Sequence, residues 1–146
     1  MCIRDRDMYG MFDWAFAFNQ PIGSWDISGV TRLEEMFQGA RSFNQSLNDW
    51  DISNVGDMSW MFEAAVSFNQ PLNAWNLASV TMMDGMFKNA TSFNQPLSAW
   101  SFPSVTSMHS MFRLAKSFDQ DLDWCVDADM KPVSYTHLTL PTILLV

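Results

Sequence analysis

Apolar and polar positions along this chain follow a pattern that returns every 25 residues. The pair Met-Phe begins at residues 11, 36, 61, 86 and 111. Phe18, Phe43, Phe68, Phe93 and Phe118 keep step with it, as do Trp25, Trp50, Trp75 and Trp100, and Val30, Val55, Val80 and Val105. Two periodicities share each unit. Met58, Met61, Phe62 and Ala65 are spaced i, i+3, i+4, i+7, which predicts one face of a helix about two turns long. Asp57, Thr81 and Thr106 precede that face and offer side-chain oxygens as caps. Around Trp50 the period changes to two, with Trp50 and Ile52 on one side and Asp49 and Asp51 on the other, which predicts a strand.

Self-similarity at such a period means that each unit buries its apolar face only against its neighbours. The expected fold class is therefore an α/β repeat solenoid of about five 25-residue coils, each a short strand plus a short helical segment. An Asn-Gln pair follows each of the first four repeated phenylalanines: Asn19-Gln20, Asn44-Gln45, Asn69-Gln70 and Asn94-Gln95; in the fifth unit it is Asp119-Gln120. Buried amides must be hydrogen-bonded, and identical amides one coil apart can bond along the stack, so a structural ladder is the expected role. The recurring methionines read as core packing rather than as a soft-metal stripe, because thioethers fill irregular gaps.

Composition narrows the function. The net charge of -8 and pI near 4.4 come with only 8 Lys and Arg residues, so the basic stripe that nucleic acid requires is not expected. Cys2 and Cys125 form no disulfide framework and lack metal-ligand spacing. No run approaches 18 apolar residues, so no membrane span is expected.

The two ends read differently from the repeats. Residues 1–6, Met-Cys-Ile-Arg-Asp-Arg, are encoded by ATG TGT ATA AGA GAC AGR, whose reverse complement translates as Pro or Ser followed by Val-Ser-Tyr-Thr-His, the sequence at Pro132 to His137. Residues 1–6 and 132–146 therefore resemble a translated, inverted sequencing adapter, and the expected repeat domain is 7–131, a piece of a longer protein. Over 7–131 there are 6 Lys and Arg against 15 Asp and Glu, so the acidity belongs to the repeats.

No catalytic constellation is expected. His109 is the one histidine outside the two ends and reads as solvent-facing, and Cys125 has no base at a suggestive spacing. Asp119, Asp121, Asp123, Asp127 and Asp129 invite a calcium reading, yet an EF-hand loop needs glycine sixth and glutamate twelfth, where Trp124 and Met130 stand. No metal and no cofactor is assigned. The candidate binding surface is the outward side of the expected strand ladder: Ser24, Asp26, Asp49, Asp51, Asn76 and Ser101, with Ala74 and Ala99. Its acidic end, Asp26, Asp49 and Asp51, points to a cationic partner or to divalent-ion bridging.

The unit at Met61 to Met83 resembles the 25-residue repeat of BspA-like leucine-rich-repeat surface proteins, also described as a mycoplasma-type lipoprotein repeat. The resemblance runs from Met8 to about Trp124, where the tryptophan arrives one residue early. It implies a leucine-rich-repeat-like fold, an extracellular or cell-surface location, and a non-enzymatic role in adhesion or recognition of a protein or glycan. The alternatives are an architectural spacer and an accessory region of a secreted enzyme whose catalytic domain lies elsewhere.

Overall fold

The structure is a computed structural model that describes residues 6–122 and 124. Within it the chain winds into stacked coils, 6–30, 31–55, 56–80, 81–105 and 106–124, numbered 1 to 5 below. What joins them is an alternation in the backbone hydrogen bonds. In coil 1 the amides of Met8, Gly10, Phe12 and Trp14 donate to the carbonyls of Arg32, Glu34, Met36 and Gln38 in coil 2, at 3.1, 3.0, 2.9 and 2.7 Å. The amides in between, of Met11, Asp13 and Ala15, donate three residues back to Met8, Gly10 and Phe12 and close successive tight turns. Coils 2, 3 and 4 repeat the scheme, with Phe37 donating to Met61, Phe62 to Met86 and Phe87 to Met111, each at 2.9 Å.

This corrects the expected α/β architecture of strands plus helices. Among the described residues there is no helix, and the only strand-like pairing is a single parallel bridge per step: Asp7 with Arg32, Arg32 with Asp57, Asp57 with Met82, and Met82 with Ser107. The helical spacing at Met58, Met61, Phe62 and Ala65 does mark four fully buried residues. However, turns closed three residues back advance about as fast as a helix and bury the same spacing. An eight-residue helix would leave its first four amides and last four carbonyls without partners; stacking satisfies such groups in the neighbouring coil. The strand expected at Trp50 to Ile52 is also absent. There the amide of Trp50 donates to Leu47 and that of Val55 to Ile52, so the chain is turning. Nor do Asp57, Thr81 and Thr106 cap helices. Asp57 accepts from the amide of Ser59, while the Thr81 and Thr106 hydroxyls donate to the carbonyls of Gly56 and Thr81.

Two residues per coil hold the left-handed conformation that makes the alternation possible: Gly10 and Trp14, Glu35 and Gly39, Trp60 and Ala64, Gly85 and Asn89, Ser110 and Leu114, with φ between 53° and 67°. An L-residue pays about 1–2 kcal/mol for this conformation. Glycine is required where a neighbour closes in. A Cβ on Gly39 would lie 2.7 Å from the Trp14 ring, and one on Gly85 would lie 2.5 Å from that of Trp60.

The core is a set of continuous columns. Phe12, Phe37, Phe62, Phe87 and Phe112 stack with ring centroids 5.6 Å apart. A second file, Phe18, Phe43, Phe68, Phe93 and Phe118, runs beside it at 5.7–6.0 Å. Inside each coil the two rings stack at 3.8–4.1 Å. Each fully buried ring contributes about 1.5–3 kcal/mol, so every internal coil is held by apolar burial on both of its faces. No helix among the described residues is long and apolar enough to cross a membrane.

Candidate functional site

The Asn-Gln positions form an unbroken row of hydrogen bonds. The Asn19 carboxamide oxygen accepts from the Asn44 amide at 2.9 Å and from Gln45 Nε2 at 3.0 Å. Asn44 receives Asn69 and Gln70 in the same way, Asn69 receives Asn94 and Gln95, and Asn94 receives Asp119 and Gln120. Gln20 stands at the exposed start of the row. Since each Asn oxygen here accepts from the next coil and each Gln from Gln45 onward donates to the preceding one, their chemistry is committed to register. These groups are half-buried or exposed rather than sealed in the core.

The row is reinforced by indole groups whose hydrogen bonds sequence reasoning missed. Trp50, Trp75, Trp100 and Trp124 each donate Nε1–H to a carbonyl of the preceding coil, respectively Ile22, Leu47, Leu72 and Leu97, at 3.2, 2.9, 3.0 and 3.0 Å. The recurrence of tryptophan, rather than phenylalanine, was the available signal: only the indole carries a donor that reaches past its own apolar body.

Ser24, Asp26, Asp49, Asp51, Ala74, Asn76, Ala99 and Ser101 all lie exposed on one side of the stack. Three of the acceptors among them are already engaged. Asp26 accepts from the Ser28 amide and hydroxyl at 3.2 and 2.7 Å, Asp51 from the Ser53 amide at 3.0 Å, and Asn76 from the Ala78 amide at 3.1 Å. These are Asx turns, in which a short polar side chain bends its own backbone. The hydrogen bonds from Ser28 and Ser53 hold the carboxyls of Asp26 and Asp51 below the ordinary aspartate pKa. This side carries acids and no cation among the described residues.

The opposite character belongs to the strip of tight turns, residues 6–16 of coil 1 and their equivalents. Arg6, Arg32, Arg41, Lys88, Arg113 and Lys116, every Arg and Lys among the described residues, lie in it. So do all six exposed large apolar side chains, Tyr9, Met11, Trp14, Phe16, Met82 and Leu114, of which Met11 belongs to a core column and is uncovered in coil 1. Side-chain type changes at almost every step along the strip: Tyr9, Glu34, Ser59, Asp84, His109 in one column, and Trp14, Gly39, Ala64, Asn89, Leu114 in another. In the intervening columns Met36, Phe37 and Ala40 recur unchanged in coils 3, 4 and 5. That contrast was visible in the sequence, but a helical reading assigns such positions to an ordinary solvated face.

Interactions across the strip are partly electrostatic. Arg32 pairs with Glu34 and with Asp7 at 3.5 Å, and its guanidinium lies 4.5 Å from the Tyr9 ring. The neighbouring Glu35, by hydrogen bond and by charge, raises the Tyr9 pKa. Glu63 receives both Gln38 and Lys88 at 2.7 Å. Trp14 and Phe16 meet edge to face at 5.9 Å, and the Arg41 guanidinium lies over the Phe16 ring at 5.0 Å. His109 is exposed, and its amide donates to Asp84. Among the described residues no group of three or more His, Cys, Asp or Glu side chains could hold a metal ion. Cys2, Cys125, the acidic positions Asp123, Asp127 and Asp129, and residues 1–5 and 132–146 of the adapter-like ends lie outside the described residues.

Comparison with curated proteins gives no match, and comparison with solved structures gives none either. A family model described as "Mycoplasma protein of unknown function, DUF285" matches residues 6–125, and the chain belongs to that family.

Proposed function

We propose that this chain is a non-enzymatic recognition module of a cell-surface or secreted protein, which contacts a macromolecular partner through the strip of tight turns. The observation that carries this reading is a coincidence of two properties. Coil-to-coil variation in side-chain type and exposure of large apolar side chains fall in the same columns. A stack of near-identical coils offers an extended surface whose specificity resides in whatever varies from coil to coil. Exposed aromatic and apolar side chains among charges are the usual anchors of such surfaces. The recurring polar groups elsewhere, the Asn-Gln row and the Asx turns, are spent on register and chain reversal. The surface setting rests on the resemblance to BspA-like surface repeats.

An architectural spacer is the competing reading, and it gives no reason for side-chain type to change at almost every step along the strip while Met36, Phe37 and Ala40 recur unchanged in coils 3, 4 and 5. The chain is panned against a phage-displayed random dodecapeptide library and applied to a glycan array. A recognition module enriches ligands on at least one of the two. Binding is then lost in Trp14→Ala/Phe16→Ala and kept in Asp49→Asn/Asp51→Asn. No enrichment on either support leaves the spacer. Loss in the aspartate variant alone moves the site to the Asx side.

A further inference from the structure

The strip is not uniform from one end of the stack to the other. In coils 1 and 2 it carries the exposed rings Tyr9, Trp14 and Phe16 and the carboxylates Asp13 and Glu35, together with Arg6, Arg32, which Glu34 and Asp7 engage, and Arg41, which lies over the Phe16 ring. In coils 4 and 5 it carries Lys88, Arg113 and Lys116. Lys88 is engaged by Glu63 at 2.7 Å. Arg113 and Lys116 are exposed, and no carboxylate among the described residues forms an ion pair with either. In a chain of net charge -8 these two form a local cationic pole beside the exposed Leu114.

Resting on the recognition reading above, we infer that the strip binds an extended polypeptide segment laid across the coils, with an apolar side chain against Trp14 and Phe16 and acidic side chains against Arg113 and Lys116. Charge complementarity selects this class. A uniformly anionic polymer would meet Asp13, Glu35 and Asp57, none of which forms an ion pair among the described residues, and like charges in register are repulsive. A neutral glycan would leave the cationic pole unused. A polypeptide changes character from residue to residue and so can match both ends. Length agrees with this. Coils about 4.8 Å apart place coil 5 about 19 Å from coil 1, which an extended chain at about 3.3 Å per residue covers in roughly six residues. Contact is led by side chains rather than by strand addition, because the amides of Gly10, Phe12, Gly39, Phe62 and Asn89 are already committed between coils.

The test uses fluorescein-labelled heptapeptides carrying Leu-Phe at one end and Asp-Glu-Glu at the other, made in both chain directions, with a composition-matched peptide whose acidic residues are dispersed. Fluorescence anisotropy against the full chain is expected to show one direction binding at least about tenfold more tightly than the dispersed control. Raising salt from 50 to 500 mM should weaken that binding. Arg113→Glu/Lys116→Glu should weaken it about tenfold or more and abolish the salt dependence, and Trp14→Ala/Phe16→Ala should weaken it about tenfold or more. All four positions are exposed, so the variants are expected to keep their calorimetric transition, which is checked on the same samples. Equal binding of directional and dispersed peptides, or an unchanged Kd after charge reversal, overturns the inference. If the glycan array lights up through Trp14 and Phe16 while no peptide binds, the inference fails and the recognition reading survives. If nothing binds through the strip, both fail.

Discussion

Replacing Trp75 by Phe separates the indole hydrogen bond from the apolar body that carries it. Trp75 is 5% exposed, its Nε1–H donates to the Leu47 carbonyl at 2.9 Å, and its ring stacks on Trp100 at 6.4 Å. Phenylalanine keeps most of the ring burial but leaves the Leu47 carbonyl facing an apolar group. A buried acceptor stripped of its partner costs about 1–3 kcal/mol, and the space vacated by the smaller ring adds roughly 1 kcal/mol. The expected loss is thus about 2–4 kcal/mol, which for a stack of this size lowers Tm by roughly 3–5 °C per kcal/mol. Scanning calorimetry is the assay, since removing a tryptophan disturbs a fluorescence readout. The chain contains its own control in Trp25, which occupies the same column but is only half-buried and has no coil of the described stack before it to receive its N–H. Trp25→Phe should therefore cost under about 1 kcal/mol. Equal losses at the two sites, or a Trp75→Phe transition within 1 °C of the parent, would refute the claim that the indole donor ties coil to coil.

Left-handed positions give a pair of opposite sign: Gly85→Ala should cost about 1–3 kcal/mol, because its Cβ would meet the Trp60 ring at 2.5 Å at φ +59°. Ala64→Gly, at φ 55°, should be neutral to stabilising by up to about 1 kcal/mol in the same calorimetric comparison. Asn69→Leu removes the oxygen that accepts from Asn94 and Gln95 at 2.9 and 3.0 Å, and should cost about 1–3 kcal/mol and accelerate amide exchange at Asn94 selectively. Asp26 and Asp51 have folded pKa values below their unfolded value, so their stabilisation is complete above about pH 4 and disappears as pH falls through the folded values. Asp51→Asn should flatten that acid limb of Tm against pH while keeping the turn, as Asn76 does naturally, whereas Asp51→Ala should lose the turn at every pH. Far-UV circular dichroism of the parent should lack the paired helical minima, and a helical spectrum would contradict the turn-built coils.

Burial was legible in the sequence almost residue by residue. Met58, Met61, Phe62, Ala65, Phe68, Trp75 and Val80 recur at a fixed interval, and all are buried in the structure. The Asn-Gln positions were legible as well, because an amide pair repeated at one position has few uses other than bonding to its own copy. Element type was not legible. Spacing of i, i+3, i+4, i+7 is common to a helix and to a run of turns closed three residues back, and only the partner of the intervening amide distinguishes them. That partner, the Glu63 carbonyl for Gly39 or the Lys88 carbonyl for Ala64, lies in another coil. The strip of tight turns did not stand out as a candidate surface for the same reason. Asp49 and Asp51 stood out as charges on an expected sheet, while Trp14, Phe16 and Trp60 were hidden among positions assigned to the outside of a helix.

The amino-acid sequence by itself determined the interval, the inward side of every coil and the side chains that hold its register, because apolar burial and amide pairing depend on which residue recurs where. Tertiary structure alone decided how the backbone runs between those points. Hydrogen bonds to the next coil replace those a two-turn helix would leave unmade, and they set Trp60, Ala64 and their equivalents in the left-handed conformation. A variable strip of rings and cations is thereby turned outward along one side of the stack.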